Sequence, residues 1–172
     1  MKIKTISYPE LENACRKIKS YVEKEKPDWI IPIYGGGKKI IDISGLSDEK
    51  WNIHAVFITH KGKESWERIK WILKKMPKTV LNLLRNIDFI RPRSSERITH
   101  FGNIQKVSGK VLIIDDTIDR GVTLDYLYRK LKEIGITKDN IRVAVVNDIR
   151  GKGPGFSIYK NILISFPWNL DY

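Results

Sequence analysis

Residues 111–124 read Val-Leu-Ile-Ile-Asp-Asp-Thr-Ile-Asp-Arg-Gly-Val-Thr-Leu. Four apolar residues run into two adjacent acids, Asp115 and Asp116. A third acid, Asp119, follows, and then Arg120, Gly121, Val122 and Thr123. Neighbouring carboxylates repel, so a chain that sets them at the end of a buried strand needs partners for both. In open parallel sheets, ligands sit at the carboxyl ends of the strands. A loop over 119–123, opening onto a helix that starts near Leu124, presents bare backbone amides with the positive end of a helix dipole behind them, which is an anion site. Gly121 permits close backbone approach and Thr123 offers a hydroxyl. Acids for sugar hydroxyls beside amides for a phosphate describe a sugar-phosphate site. The same residue types also suit an ordinary strand-to-helix turn with a polar cap.

The elements that must position these residues are legible in outline. Ser7-Tyr8-Pro9-Glu10 has capping-box form, and Leu11, Ala14, Cys15, Ile18, Tyr21 and Val22 follow at helical spacing. Trp29–Ile33 is a short apolar run ending at Gly35-Gly36-Gly37, a strand followed by a loop, with a helix start over 38–43. Ile53–Ile58 is a further apolar run, and residues 65–86 have a helical pattern broken at Pro77. Val111–Ile114 is a buried strand. Leu124, Leu127, Leu131 and Ile134 keep helical spacing up to Gly135, a C-terminal cap. Arg142–Val146 and Ile162–Phe166 are two more strands. Strands alternating with helices predict one α/β domain over 1–172, a mainly parallel sheet covered on both faces.

The chain has 172 residues, enough for one domain with a sizeable core; it is 41% hydrophobic and 30% charged, so it is globular rather than disordered. Its net charge of +12 suits a polyanionic or phosphate-rich partner, and equally a solvated lysine-rich surface. One cysteine, Cys15, excludes an intramolecular disulfide and fits a small core position. His54, His60 and His100 lack ligand spacing, which argues against a histidine-held metal. With no signal peptide and no apolar run near 18 residues, the expectation is a soluble, cytoplasmic protein without membrane contact.

The stretch from Val111 to Thr123 resembles the signature of the type I phosphoribosyltransferases, which bind 5-phosphoribosyl-1-diphosphate. The departure is Arg120, where that family usually has Thr or Ser. The resemblance implies that Asp115 and Asp116 meet the ribose hydroxyls, and that Asp119, Arg120, Gly121, Val122 and Thr123 hold the 5-phosphate. Arg120 either adds a cation there or blocks the pocket. An acid at position 119 resembles the hypoxanthine, guanine and xanthine branch, where it faces N7 of the purine as the proposed general base. The alternative for Asp119 is a loop cap.

Two further segments are similar to the family. Ile33-Tyr34-Gly35-Gly36-Gly37-Lys38 resembles the diphosphate loop, implying diphosphate contacts at Tyr34, Gly35, Gly36 and Lys38. Tyr34 stands where Lys or Arg is usual, with Lys38 or Lys39 as the compensating cation. The carboxyl end, Phe166-Pro167-Trp168-Asn169-Leu170-Asp171-Tyr172, resembles the branch's termini and implies a role for Asp171 near a bound Mg2+ ion. A base-contacting Lys of the branch falls at Asn147, and a base-stacking aromatic falls near Leu163 or Ile164, giving Asn147, Leu163 and Ile164 as base-binding positions. The family's mobile loop falls either after the strand Ile53–Thr59, from His60, or after Ile87–Ser94. The first choice leaves a helical insertion around 60–87.

The resemblance therefore implies a type I phosphoribosyltransferase-like, Rossmann-like fold with a small C-terminal hood. It also implies a magnesium-dependent transfer of the phosphoribosyl group from 5-phosphoribosyl-1-diphosphate to a 6-oxopurine base, in a homo-oligomer (dimer or tetramer). Two other function classes fit the same residues. One is a non-catalytic regulator that senses the phosphoribosyl ligand and binds nucleic acid. The other is a nucleotide hydrolase that uses the acid pair.

Overall fold

The computed structural model describes residues 2–48, 51–60, 97–100 and 104–169. In chain order the helices and strands are β1 (Ile3–Thr5), α1 (Tyr8–Glu25), β2 (Trp29–Pro32), α2 (Gly36–Ser44), β3 (Asn52–Ile53), β4 (Phe57–His60), β5 (Arg97–His100), β6 (Val111–Ile118), α3 (Val122–Glu133), β7 (Ile141–Asp148), β8 (Phe156–Lys160) and β9 (Leu163–Ser165). A five-stranded sheet in the order β3-β2-β6-β7-β8 forms the centre, and every pairing in it is parallel. No described helix is long and apolar enough to cross a membrane.

Strand alternation divides the core into two layers. Ile30, Leu112, Ile114, Ala144 and Val146 face α1 and α2, packing with Leu11, Ile18, Val22, Ile40 and Ile41. Ile31, Val111, Ile113, Val143 and Val145 face the other way, against Leu124, Leu127 and Leu131 of α3. Burying each such side chain contributes roughly 1.5–3 kcal/mol. Both faces are covered, which is why the strands read as continuous apolar runs rather than as alternating ones.

α1 begins as its sequence predicts. The Glu10 amide donates to the Ser7 hydroxyl (3.4 Å), and the Ser7 amide donates to the Glu10 carboxylate (2.8 Å). Cys15 is buried on its inner face, and burial pushes the thiol up to about 12, so it packs as a small apolar group. At the amino-terminal edge of the sheet, Lys110 pairs with Glu25 at the end of α1 (2.9 Å), and the Lys110 amide donates to Asp28 (2.7 Å). That edge is tied shut.

Five elements depart from the expectation. β6 runs on through both acids to Ile118, and β7 extends past Val146 to Asp148, because Thr117 and Asn147 pair across them. The central sheet has a fifth strand, β8, at its edge. The strand expected at Ile162–Phe166 forms as β9 but lies outside that sheet. It pairs in parallel with β1, bringing the two chain ends together as a small hood. The apolar run Ile53–Ile58 is split: Ile53 pairs with β2 and Val56 bridges to Ile33, whereas β4 turns away to pair antiparallel with β5. β4 and β5 lie on either side of residues 61–96 in the sequence. The helical pattern of 65–86, the segment Ile87–Ser94 and most of the 60–87 insertion lie outside the described residues.

Candidate active site

The carboxyl edge of the sheet collects the residues singled out above. Pro32 ends β2 beside Ile114 and the Ile33 amide donates to the Ile114 carbonyl (2.9 Å), so the turn over 34–36 lies next to the acids that follow Ile114. Gly36 opens α2 directly against Asp116. A Cβ on Gly36 would overlap the Asp116 carboxyl group and come within 2.5 Å of its Cβ. Gly37 is as tightly placed, since a Cβ there would overlap the Ile114 carbonyl oxygen and lie 3.1 Å from its carbon. Glycine is required at both positions because the helix start is laid flat on the strand end.

This packing sets one group of open amides beside the acid pair, and a second group follows the acids along the chain at the start of α3. Gly35, Gly36 and Gly37 donate to no acceptor among the described residues, and the first amides used are those of Lys38, to Ile33 (3.2 Å), and Lys39, to Gly35 (3.2 Å). Across the site, α3 starts at Val122 after a left-handed Gly121 (φ 74°), with no side-chain cap. The amides of Val122, Thr123 and Leu124 likewise have no acceptor among the described residues, and the Asp125 amide is the first to bond, to Gly121 (2.8 Å). Helix N-termini left open in this way favour anions through their amides and dipoles.

Between them, Asp115 and Asp116 are both part-buried. The Asp116 amide donates to the Asp115 carboxylate (2.8 Å). Burial pushes the Asp116 carboxyl above the usual carboxylate range, while hydrogen bonding with the Asp115 side chain and with the Thr117 and Asp116 amides acts in the opposite direction. Asp119 lies just beyond β6 and pairs with Arg150 on the turn after β7 (3.3 Å). That turn is held by the buried Asp148 carboxylate, which accepts from the amides of Gly151 (2.9 Å) and Gly153 (2.8 Å). Arg120 is exposed on the 119–123 turn.

The other expected contacts divide. Tyr34 is 55% exposed and stacks on Phe57 (centroids 3.9 Å apart), and its amide donates to Val56, so it supplies neither a cation nor a free amide. The Lys38 ammonium pairs with Asp42 one turn along α2. Asn147 is fully buried in β7, between Thr117 and Tyr159, and neither polar atom of its carboxamide has a partner among the described residues. Ile164 packs in the core, and Leu163 is half-buried beside β1. Asp171 lies outside the described residues. Sequence reasoning missed Arg150 and Asp148; the signal available was the acid-and-glycine run Asn147-Asp148-Ile149-Arg150-Gly151 at a strand end.

No protein-family model matches this sequence. No curated protein matches it either. Solved structures do. A purine phosphoribosyltransferase from Pyrococcus horikoshii is similar with a TM-score of 0.64 at 16% identity, over 98% of this chain and 94% of that one. A hypothetical protein from Neisseria gonorrhoeae with bound ppGpp gives 0.61 at 17% identity, over 98% and 89%. A xanthine-guanine-hypoxanthine phosphoribosyltransferase from Helicobacter pylori gives 0.60 at 13% identity, over 98% and 95%. A likeness that spans both chains almost entirely at such low identity is a likeness of architecture, and on it this chain has the type I phosphoribosyltransferase fold.

Proposed function

We propose that the protein transfers the phosphoribosyl group of 5-phosphoribosyl-1-diphosphate to a purine base, and that the base is a 6-oxopurine. The observation that carries this reading is the packing of the α2 start on the acid pair, with Gly36 pressed on Asp116, together with the open α3 start at Gly121–Thr123 that follows the acids along the chain. Such a site suits a ligand with hydroxyls between two phosphate groups. The amides at 121–123 suit the 5-phosphate, the acids suit the ribose hydroxyls, and the amides at 35–37 suit the diphosphate.

In the reaction, a purine ring nitrogen uses its lone pair to form the new bond to C1 of the ribose. The bond from C1 to the diphosphate oxygen breaks, and its electron pair leaves on the diphosphate. The proton given up by the ring passes to the Asp119 carboxylate. Two amide sets fixed by the fold orient sugar and leaving group and stabilise the charge that develops on the diphosphate. Among the described residues no group of three or more His, Cys, Asp and Glu could hold a metal by itself. The adjacent carboxylates Asp115 and Asp116 suit magnesium, which takes one or two carboxylates and completes its shell with substrate oxygens and water. Asp115 and Asp116 would hold it with the ligand, and the ion would supply positive charge beside the diphosphate.

The test is nucleotide formation from 5-phosphoribosyl-1-diphosphate with hypoxanthine, guanine, xanthine or adenine in turn, in the presence of magnesium. Product with a 6-oxopurine supports the reading; product with adenine alone removes the 6-oxopurine assignment; no product with any base removes the transferase. A second reading is favoured by the similar Neisseria protein with bound ppGpp and by the net charge of +12. On it, the same site senses a phosphorylated ligand without turnover and the basic surface binds nucleic acid. Binding to RNA or DNA with a steep salt dependence, and no product with any base, would select this second reading.

A further inference from the structure

Tyr34 leaves the diphosphate side of the site without the loop cation that its position would otherwise supply, and the Lys38 ammonium is spent on Asp42. The Phe-Pro-Trp segment near the carboxyl end, meanwhile, has no part in the site described so far. The two observations meet at Lys39. We infer that Lys39 is the diphosphate-binding cation of this site and that Trp168 positions it.

Gly36 and Lys39 are three residues apart on α2 and so share one face of the helix. A helical side chain points back over the turn before it, so Lys39 lies over the surface that Gly36 presents, which is the surface packed on Asp116. Its ammonium lies over an aromatic ring. It sits 4.8 Å from the centroid of the Trp168 ring, and that ring is stacked on the buried Phe166 at 4.7 Å with planes 3° apart. Phe166 is anchored in the layer of the core shared with α1 and α2. A cation over an indole face is attracted by the ring and keeps its hydrogens available to a ligand. The hood thus supplies a rigid platform, and the helix supplies the charge.

This inference rests on the transferase reading, yet its test does not need turnover. Titration calorimetry with magnesium and inorganic diphosphate as the probe, and ribose 5-phosphate as the control, reads the two halves of the site separately. Lys39→Gln should weaken diphosphate binding about 10- to 100-fold, the range of a lost charge-assisted contact, and leave ribose 5-phosphate within about twofold. Lys39→Arg should recover most of the loss. Trp168→Leu should weaken diphosphate binding about threefold, and Trp168→Phe, which keeps an aromatic face, should restore it. Lys39→Gln that binds diphosphate as the parent does, or that loses both probes equally, overturns the assignment, as does a parent protein with no affinity for diphosphate. Diphosphate binding that depends on Lys39 in a protein that makes no nucleotide from any base would keep the inference and reject the transferase.

Discussion

The α-carbon of Gly36 lies so close to the Asp116 side chain that no Cβ can stand between them. One contact therefore joins two segments 80 residues apart in sequence, the turn after β2 and the acids of β6. It fixes where free amides lie relative to carboxylates. Gly36→Ala must push α2 off the strand or turn the Asp116 carboxyl out of the site. The variant should lose about 1–3 kcal/mol of stability, as overpacking does, and bind 5-phosphoribosyl-1-diphosphate more weakly. Gly35→Ala strains a positive φ (103°) but meets no atom within 4 Å, so it should affect stability without displacing Asp116. Thermal unfolding and calorimetry on the pair separate the two effects; equal ligand affinity in Gly36→Ala and the parent would refute the close-packing argument.

Asp116 should show stability and binding moving in opposite directions. Burial holds its carboxyl above the usual range, so the folded chain keeps that proton to higher pH than the unfolded chain does. Stability is then lost as pH rises from the ordinary aspartate value through the folded one. Asp116→Asn removes this penalty, and its unfolding midpoint at neutral pH should exceed that of the parent, with a flatter dependence on pH. Its affinity for the phosphoribosyl ligand should fall, at roughly 1.5–3 kcal/mol for each charge-assisted hydrogen bond lost, and Asp115→Asn with Asp116→Asn should fall further. A folded double variant with unchanged affinity would remove the central assignment.

The sequence displayed the core and the site unequally, for physical reasons. Continuous apolar runs at 29–33, 111–114 and 143–146 reveal β2, β6 and β7 because both sheet faces are covered. β8 escaped because its residues Phe156–Lys160 alternate between chemically mixed types and are only half-buried at a sheet edge. β1 is three residues long, too short for a period to register. The acids and glycines were visible as types in a spacing, but the contact of Gly36 with Asp116 was not, since nothing local links position 36 to position 116. Nor does Asn147-Asp148-Ile149-Arg150 reveal that Arg150 reaches back to Asp119, which depends on the pairing of β6 with β7.

Arg120 is the departure from the family signature that a single substitution can interpret. It is exposed on the turn whose amides face the expected 5-phosphate. As a phosphate contact, it should be worth most at low ionic strength, where screening is weakest. Arg120→Thr is then expected to weaken binding of ribose 5-phosphate, with the deficit shrinking as salt is added. A gain in affinity would show instead that Arg120 obstructs the pocket.

Asp119 carries the choice of substrate class. As the acceptor of the purine proton it must be a carboxylate with access to the ring, and its pairing with Arg150 at 3.3 Å aims it from the turn after β7. Asp119→Asn preserves shape and most hydrogen bonding but cannot take the proton. The rate of nucleotide formation should fall roughly 10²- to 10⁴-fold, the usual range for a positioned acid-base group. Binding of 5-phosphoribosyl-1-diphosphate should change far less, because the acid pair and both amide sets are untouched. Arg150→Gln leaves the carboxylate in place and removes what aims it, so it should cost less than Asp119→Asn in the same assay. A residue that merely caps the turn gives the reverse pattern, a modest loss of stability with no selective loss of turnover. Single-turnover kinetics at saturating 5-phosphoribosyl-1-diphosphate separate the cases. Asp119→Asn forming nucleotide at the parent rate would end the general-base role and, with it, the main support for a 6-oxopurine.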